Sequence, residues 1–110
     1  MENIMLISSE KQLGDALSAQ GSVCLVYFSA AWCAPCKHLY PLLEKAVSDD
    51  AFLGLTVCKV DVDAQGAIAS RFNVRSIPTL YLYANGAQKA VQMGLVDYDR
   101  LKAFIAQAYD

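Results

Sequence analysis

Six consecutive residues, Val23-Cys24-Leu25-Val26-Tyr27-Phe28, carry no charge, and four of them are β-branched or aromatic. A strand with one wet face alternates apolar and polar residues, so this unbroken run reads as a strand buried on both faces. It does not read as a membrane span. The surrounding apolar stretch, Val23 to Cys33, is broken by Ser29 and falls well short of the ~20 residues a helix needs to cross a bilayer. The chain must therefore supply cover for two sides of a sheet. Its 110 residues fit one compact domain, 1–110, on the usual size prior.

The flanking sequence alternates strand-like and helix-like pieces in a way that provides this cover. Ile4 to Ile7 reads as a short strand. Ser9 opens a helix, with Gln12 three residues on completing a capping box and Leu13, Ala16 and Leu17 on one face. From Ala34 to about Val47 the apolar spacing is helical, with Pro41 inside, where its missing N–H and its ring should kink the turn. Leu55 to Val62 reads as a strand containing an unexpected charge, Lys59. Asp63 is placed to cap a short helix through Phe72. Thr79 to Tyr83 and Ala87 to Met93 flank Asn85-Gly86, a strong hairpin-turn signal. Asp97 caps a last helix whose Leu101, Phe104, Ile105 and Ala108 form an amphipathic stripe. The order β-α-β-α-β-α-β-β-α predicts an α/β fold, a central mixed sheet with helices on both faces and an antiparallel hairpin at its end.

Charge excludes several classes. Nine Lys and Arg stand against eleven Asp and Glu, a net charge of −2, with no basic stripe for nucleic acid. Hydrophobic residues make up 55% of the chain, too many for a disordered one. The opening MENIMLISSE lacks the basic-then-apolar order of a secretory signal, and four cysteines are too few for a disulfide scaffold. The expectation is a soluble, slightly acidic, cytoplasmic domain with no membrane or nucleic-acid partner.

Chemistry concentrates in Trp32-Cys33-Ala34-Pro35-Cys36-Lys37, at the junction of the buried strand and the following helix. Cys33 falls at the helix N-terminus, where unpaired N–H groups and the helix dipole favour a thiolate. Cys36 lies one turn later, close enough to bridge to it. Pro35 suits the first turn, where its missing N–H costs nothing. This makes Cys33 the attacking thiolate and Cys36, deeper in the turn, the cysteine that resolves a mixed disulfide. Zinc is disfavoured: a site needs another ligand pair, and the remaining candidates are Cys24 and Cys58 in core strands and the lone His38. Haem attachment fails because Lys37 stands where the histidine should be. Cys24 and Cys58 read as small buried hydrophobes.

Together with KVDVD, RFNVRSIPTLYLYANG and the MGL near the end, the run FSAAWCAPCK makes the chain resemble the thioredoxin family over essentially its whole length. The resemblance implies a thioredoxin fold and a dithiol–disulfide oxidoreductase, with Cys33 as nucleophile, Cys36 as resolving cysteine and no cofactor. It implies that Pro78 is a cis-proline beside the disulfide, presenting the Ile77 backbone to an extended substrate by strand addition. Trp32, Ala34, Pro35, Ile77, Pro78, Gly94 and Leu95 would form the surface for disulfide-containing protein substrates, Gly94 by lacking a side chain. The implied partner is an NADPH-dependent thioredoxin reductase, and the chain would act as a monomer.

Two residues depart from the family pattern. Ala34 replaces the usual glycine between the cysteines, a small change expected to stiffen the loop and shift the redox potential. Tyr27 replaces a buried aspartate that the family pairs with a lysine at the position of Lys59, for proton transfer toward the second cysteine. With a reference pKa near 10, tyrosine is a poor base at neutral pH. Two readings of Lys59 follow. In one, Lys59 and Tyr27 form a substitute proton relay for Cys36; in the other, Tyr27 is core packing and Lys59 reaches solvent beside Asp61 or Asp63. Competing functions are a disulfide oxidase or isomerase using the same motif, and a binding module using the surface around Trp32 and Ile77.

Overall fold

The computed structural model describes residues 3–109. Five strands, β1 (Ile4–Leu6), β2 (Val23–Ser29), β3 (Leu55–Asp61), β4 (Thr79–Ala84) and β5 (Ala87–Met93), form one mixed sheet in the order β1-β3-β2-β4-β5. β3 runs parallel to both β1 and β2, while β4 is antiparallel to β2 and to β5. The four helices are α1 (Glu10–Ser18), α2 (Ala34–Val47), α3 (Gly66–Arg71) and α4 (Tyr98–Ala106), with a 3-10 turn over Asp50–Phe52. The expected element order and hairpin are both present.

β2 is the central strand, and all seven of its residues are buried. Its side chains divide between two cores. Leu25 and Tyr27 pack with Leu39 and Leu43 of α2 and with Leu101 and Ile105 of α4. Val26 and Phe28 pack on the other face with Cys58, Val60, Leu13 of α1 and Ile68 of α3. Alternate residues of one strand thus serve opposite cores, which is why the run contains no polar break.

The helix ends show where local signals were complete and where they were not. Ser9 caps α1, its Oγ accepting the Gln12 N–H at 3.1 Å. The return arm of the box is displaced by one residue: the Gln12 side chain accepts from the N–H of Ser8, at 2.6 Å. Asp97 caps α4 by accepting the Arg100 N–H at 2.8 Å. Asp63, in contrast, caps nothing. α3 begins at Gly66 after Gln65, with no side-chain cap; Asp63 lies two residues before the cap position, and its carboxylate accepts from Trp32 instead. The turn before α3 is held instead by Asp61, whose Oδ1 accepts the N–H groups of Asp63 and Ala64. At the hairpin, Asn85 and Gly86 have φ of 53° and 81°, the left-handed pair that a two-residue type I′ turn demands. Helix α2 runs through Pro41 without interruption, but Pro41 has no N–H to give the Lys37 carbonyl.

Candidate active site

The end of the buried strand β2 hands the chain to α2 through Ala30 to Cys33, with the Cys33 N–H donated to the Ala30 carbonyl at 3.1 Å. Cys33 is the N-cap of α2, and its Sγ accepts the N–H of Cys36 at 3.2 Å. A residue in this position receives one of the helix's unpaired donors, which favours negative charge on its sulfur once reduced. Pro35 occupies the first turn as expected. Cys33 and Cys36 are joined as a disulfide with Cα atoms 5.3 Å apart. Cys33 is 4% exposed and Cys36 2%, so shielding scarcely separates them. What separates them is position: Cys33 is the cap, while Cys36 lies inside the helix against β2.

A cleft of about 320 Å³ opens beside Cys36, lined by Tyr27, Ser29, Tyr40, Lys59 and Asp61 among others. Tyr27 and Lys59 are paired across β2 and β3. The Tyr27 hydroxyl donates to the carbonyl of Cys36 at 2.7 Å, and burial pushes its pKa up to about 12. The Lys59 ammonium stands 4.9 Å from the centre of the Tyr40 ring, a cation–π contact. Among the described residues no carboxylate lies within salt-bridge distance of Lys59.

Trp32 is 70% exposed and donates its indole N–H to Asp63 at 2.8 Å. With Ile77, Val74, Arg75, Val62 and Ala69 it lines a second cleft of about 330 Å³. The Ile77–Pro78 bond is cis, and Pro78 is buried. Its carbonyl accepts the Gly94 N–H at 2.9 Å, and the Thr79 hydroxyl closes the same turn onto the Ser76 carbonyl at 2.7 Å. Gly94 has a φ of +87°, and a Cβ there would meet nothing within 4 Å. Its backbone conformation alone accounts for glycine. Leu95 lines a separate cleft with His38 and Leu42 of α2. Ala34 and Pro35 are exposed. Spacing alone did not reveal Val74, Arg75 and Asp63 as neighbours of Trp32, since they arrive from α3 and its flanking turns.

Cys24 and Cys58 are free and buried, on the α1-facing side of adjacent strands. The register pairs Cys24 with Thr56 and Val26 with Cys58, so the two thiols are diagonal neighbours. Cys24 donates to the Ala16 carbonyl at 3.4 Å. A hydrogen bond from Cys58 draws the Cys24 thiol down in pKa against its burial, and the same contact with burial pushes Cys58 far up. Burial alone would have raised both.

The thioredoxin family profile matches residues 4–107. The chain belongs to the thioredoxin family. It is 40% identical to a thioredoxin of Chlamydia muridarum over 101 residues, 92% of this chain and 95% of that protein. It is 35% identical to a thioredoxin of Pseudomonas aeruginosa over 105 residues, 94% of each. Among solved structures, a single-site mutant thioredoxin from Halobacterium salinarum superimposes with a TM-score of 0.87 at 36% identity, covering 97% of this chain and 91% of the other. The thioredoxin of Malassezia sympodialis gives 0.86 at 32% identity, covering 100% and 94%. The fold is the thioredoxin fold, and the chain is a thiol–disulfide oxidoreductase acting by dithiol–disulfide exchange.

Proposed function

We propose that this thioredoxin works in the reducing direction, with Cys33 as nucleophile and Cys36 as resolving cysteine. The observation that carries the assignment is the Cys36 N–H aimed at the Cys33 sulfur from the first turn of α2. The Cys33 thiolate attacks one sulfur of a substrate disulfide, a new S–S bond forms, and the substrate's other sulfur leaves as a thiolate. Cys36 then loses its proton and attacks Cys33 Sγ, expelling the second substrate thiolate and closing the Cys33–Cys36 disulfide. Two electrons pass from the protein to the substrate. The Cys36 proton leaves into the cleft at Tyr27, with Lys59 as relay, giving a proton to solvent as it takes one.

The substrate surface comprises Trp32, Ala34, Pro35, Ile77, Pro78, Gly94 and Leu95. Among the described residues no hydrogen bond is made by the backbone N–H or carbonyl of Ile77, which leaves both for an extended substrate to pair with. Disulfide-containing proteins are the substrates, and an NADPH-dependent thioredoxin reductase returns the electrons. The protein acts as a cytoplasmic monomer; no helix among the described residues is long and apolar enough to cross a membrane.

The test is alkylation of the reduced protein at neutral pH followed by peptide mapping, together with substrate trapping. Cys33 should label first, and Cys36→Ser should accumulate a mixed disulfide at Cys33. Preferential labelling of Cys36, or trapping by Cys33→Ser instead, would reverse the roles.

A further inference from the structure

Tyr27 carries a phenol into the core behind the cysteine pair, and its hydroxyl has a defined partner. We propose that Tyr27 is a positioning residue for the resolving step: its hydroxyl pins the carbonyl of Cys36, and with it the active-site turn of α2, to the central strand. The proposal rests on Cys36 being the resolving cysteine and adds a role for the residue behind it.

Three observations carry it. First, the anchor is rigid. Tyr27 sits in the middle of β2, which is hydrogen-bonded to β3 on one side and β4 on the other, and is 1% exposed. Second, the hydroxyl donates at 2.7 Å to the backbone of the very residue whose sulfur must approach Cys33. Third, the turn it holds is short of internal bonds. Pro41 cannot donate to the carbonyl of Lys37, the residue after Cys36. The Tyr27 bond supplies a tie to the sheet one residue before the carbonyl that Pro41 leaves without its helical donor.

The consequence is kinetic and thermodynamic. Closing the Cys33–Cys36 disulfide depends on the effective concentration of one sulfur at the other, which reaches ~10⁵ M or more only for well-oriented groups. Loosening the turn lowers that concentration, slows resolution and makes the disulfide easier to reduce. Tyr27 does not carry the proton. Its hydrogen is committed to a carbonyl, and burial disfavours its ionised form. The other titratable groups of the cleft are Lys37 and Tyr40 of α2, the latter with ring centroids 6.4 Å apart from Tyr27, and Lys59 and Asp61 of β3.

The experiment uses the whole protein. The reduced form is mixed with an aromatic disulfide such as 5,5′-dithiobis(2-nitrobenzoate). The first thiolate released reports attack by Cys33 and the second reports resolution by Cys36, followed from pH 6 to 9. The equilibrium with glutathione is measured in parallel. In Tyr27→Phe, the first release should be unchanged, and the second should slow three- to tenfold at every pH without a shift in midpoint. The glutathione equilibrium should move by the same factor, about 14–30 mV toward more oxidising potential at 29.6 mV per decade. Replacing Tyr27 by 3-fluorotyrosine, which keeps the donor and the shape but acidifies the phenol, should leave the pH profile in place.

Unchanged resolution and equilibrium in Tyr27→Phe would overturn the proposal and leave Tyr27 as packing. A profile that shifts with 3-fluorotyrosine would overturn it in favour of proton transfer. Because the fluorinated variant preserves volume and hydrogen bond, the test stands even where Tyr27→Phe fails to fold. Absence of any second release in the unmodified protein would instead refute Cys36 as the resolving cysteine.

Discussion

The indole N–H of Trp32 donates to the carboxylate of Asp63 at 2.8 Å, tying the most exposed aromatic of the active-site run to the turn between β3 and α3. An exposed side chain held by a charge-assisted bond costs less to immobilise when a substrate arrives. Asp63→Ala should therefore raise the KM for a protein disulfide severalfold and leave the Cys33–Cys36 potential within a few millivolts. Steady-state turnover and a glutathione equilibrium separate the two. An altered potential with unchanged KM would show that Asp63 acts on the disulfide itself.

The second cysteine pair should remain reduced while the first cycles. Cys24 and Cys58 are both buried, and although Cys24 is drawn toward ionisation by its neighbour, no reagent reaches it in the closed fold. The oxidised protein should show no rapidly reacting thiols when native and two when denatured. A denatured count of zero would reveal a second disulfide.

Several features of the fold are legible in the sequence itself. The apolar run of β2, the Ser9 and Asp97 caps and the Asn85-Gly86 turn each depend on a stretch of six residues or fewer, where local physics suffices. The cap expected from Asp63 failed because α3 starts two residues later than a cap there requires, and the carboxylate meets the distant Trp32 instead. The proximity of Cys24 to Cys58 depends on strand register, and the Tyr27 hydroxyl finds the Cys36 carbonyl only because β2 lies under α2. Both are properties of the assembled sheet rather than of any segment. Tyr27 was recognisable as a departure from the family, but its partner was not.

Alkaline pH should destabilise the protein through Tyr27. Its pKa in the fold is pushed up to about 12 by burial, against roughly 10 when unfolded. Below pH 10 both states keep the proton and the contribution is fully present. Between pH 10 and 12 the unfolded state loses it first, so stability falls as pH rises. Denaturant unfolding across this window should be less steeply pH-dependent in Tyr27→Phe. An unchanged slope would place the Tyr27 ionisation at its ordinary value.

Lys59 faces the same cleft as Cys36, with no carboxylate within salt-bridge distance among the described residues. If the resolving proton leaves by way of its ammonium, Lys59→Met should slow resolution of a mixed disulfide at Cys33 severalfold near pH 7, with the initial attack unaffected. Resolution at the unmodified rate across neutral pH would mean that Cys36 deprotonates directly to cleft water.

The central claim is that Cys33 and Cys36 form a reducing dithiol, and their reduction potential tests it most directly. Equilibration with glutathione or dithiothreitol buffers, read by alkylation of the two cysteines, should place it near the thioredoxin family's characteristic value of about −270 mV, displaced somewhat by Ala34. A potential well above about −200 mV, in the range of disulfide oxidants and isomerases, would contradict the account and assign the same site to the opposite direction of electron flow.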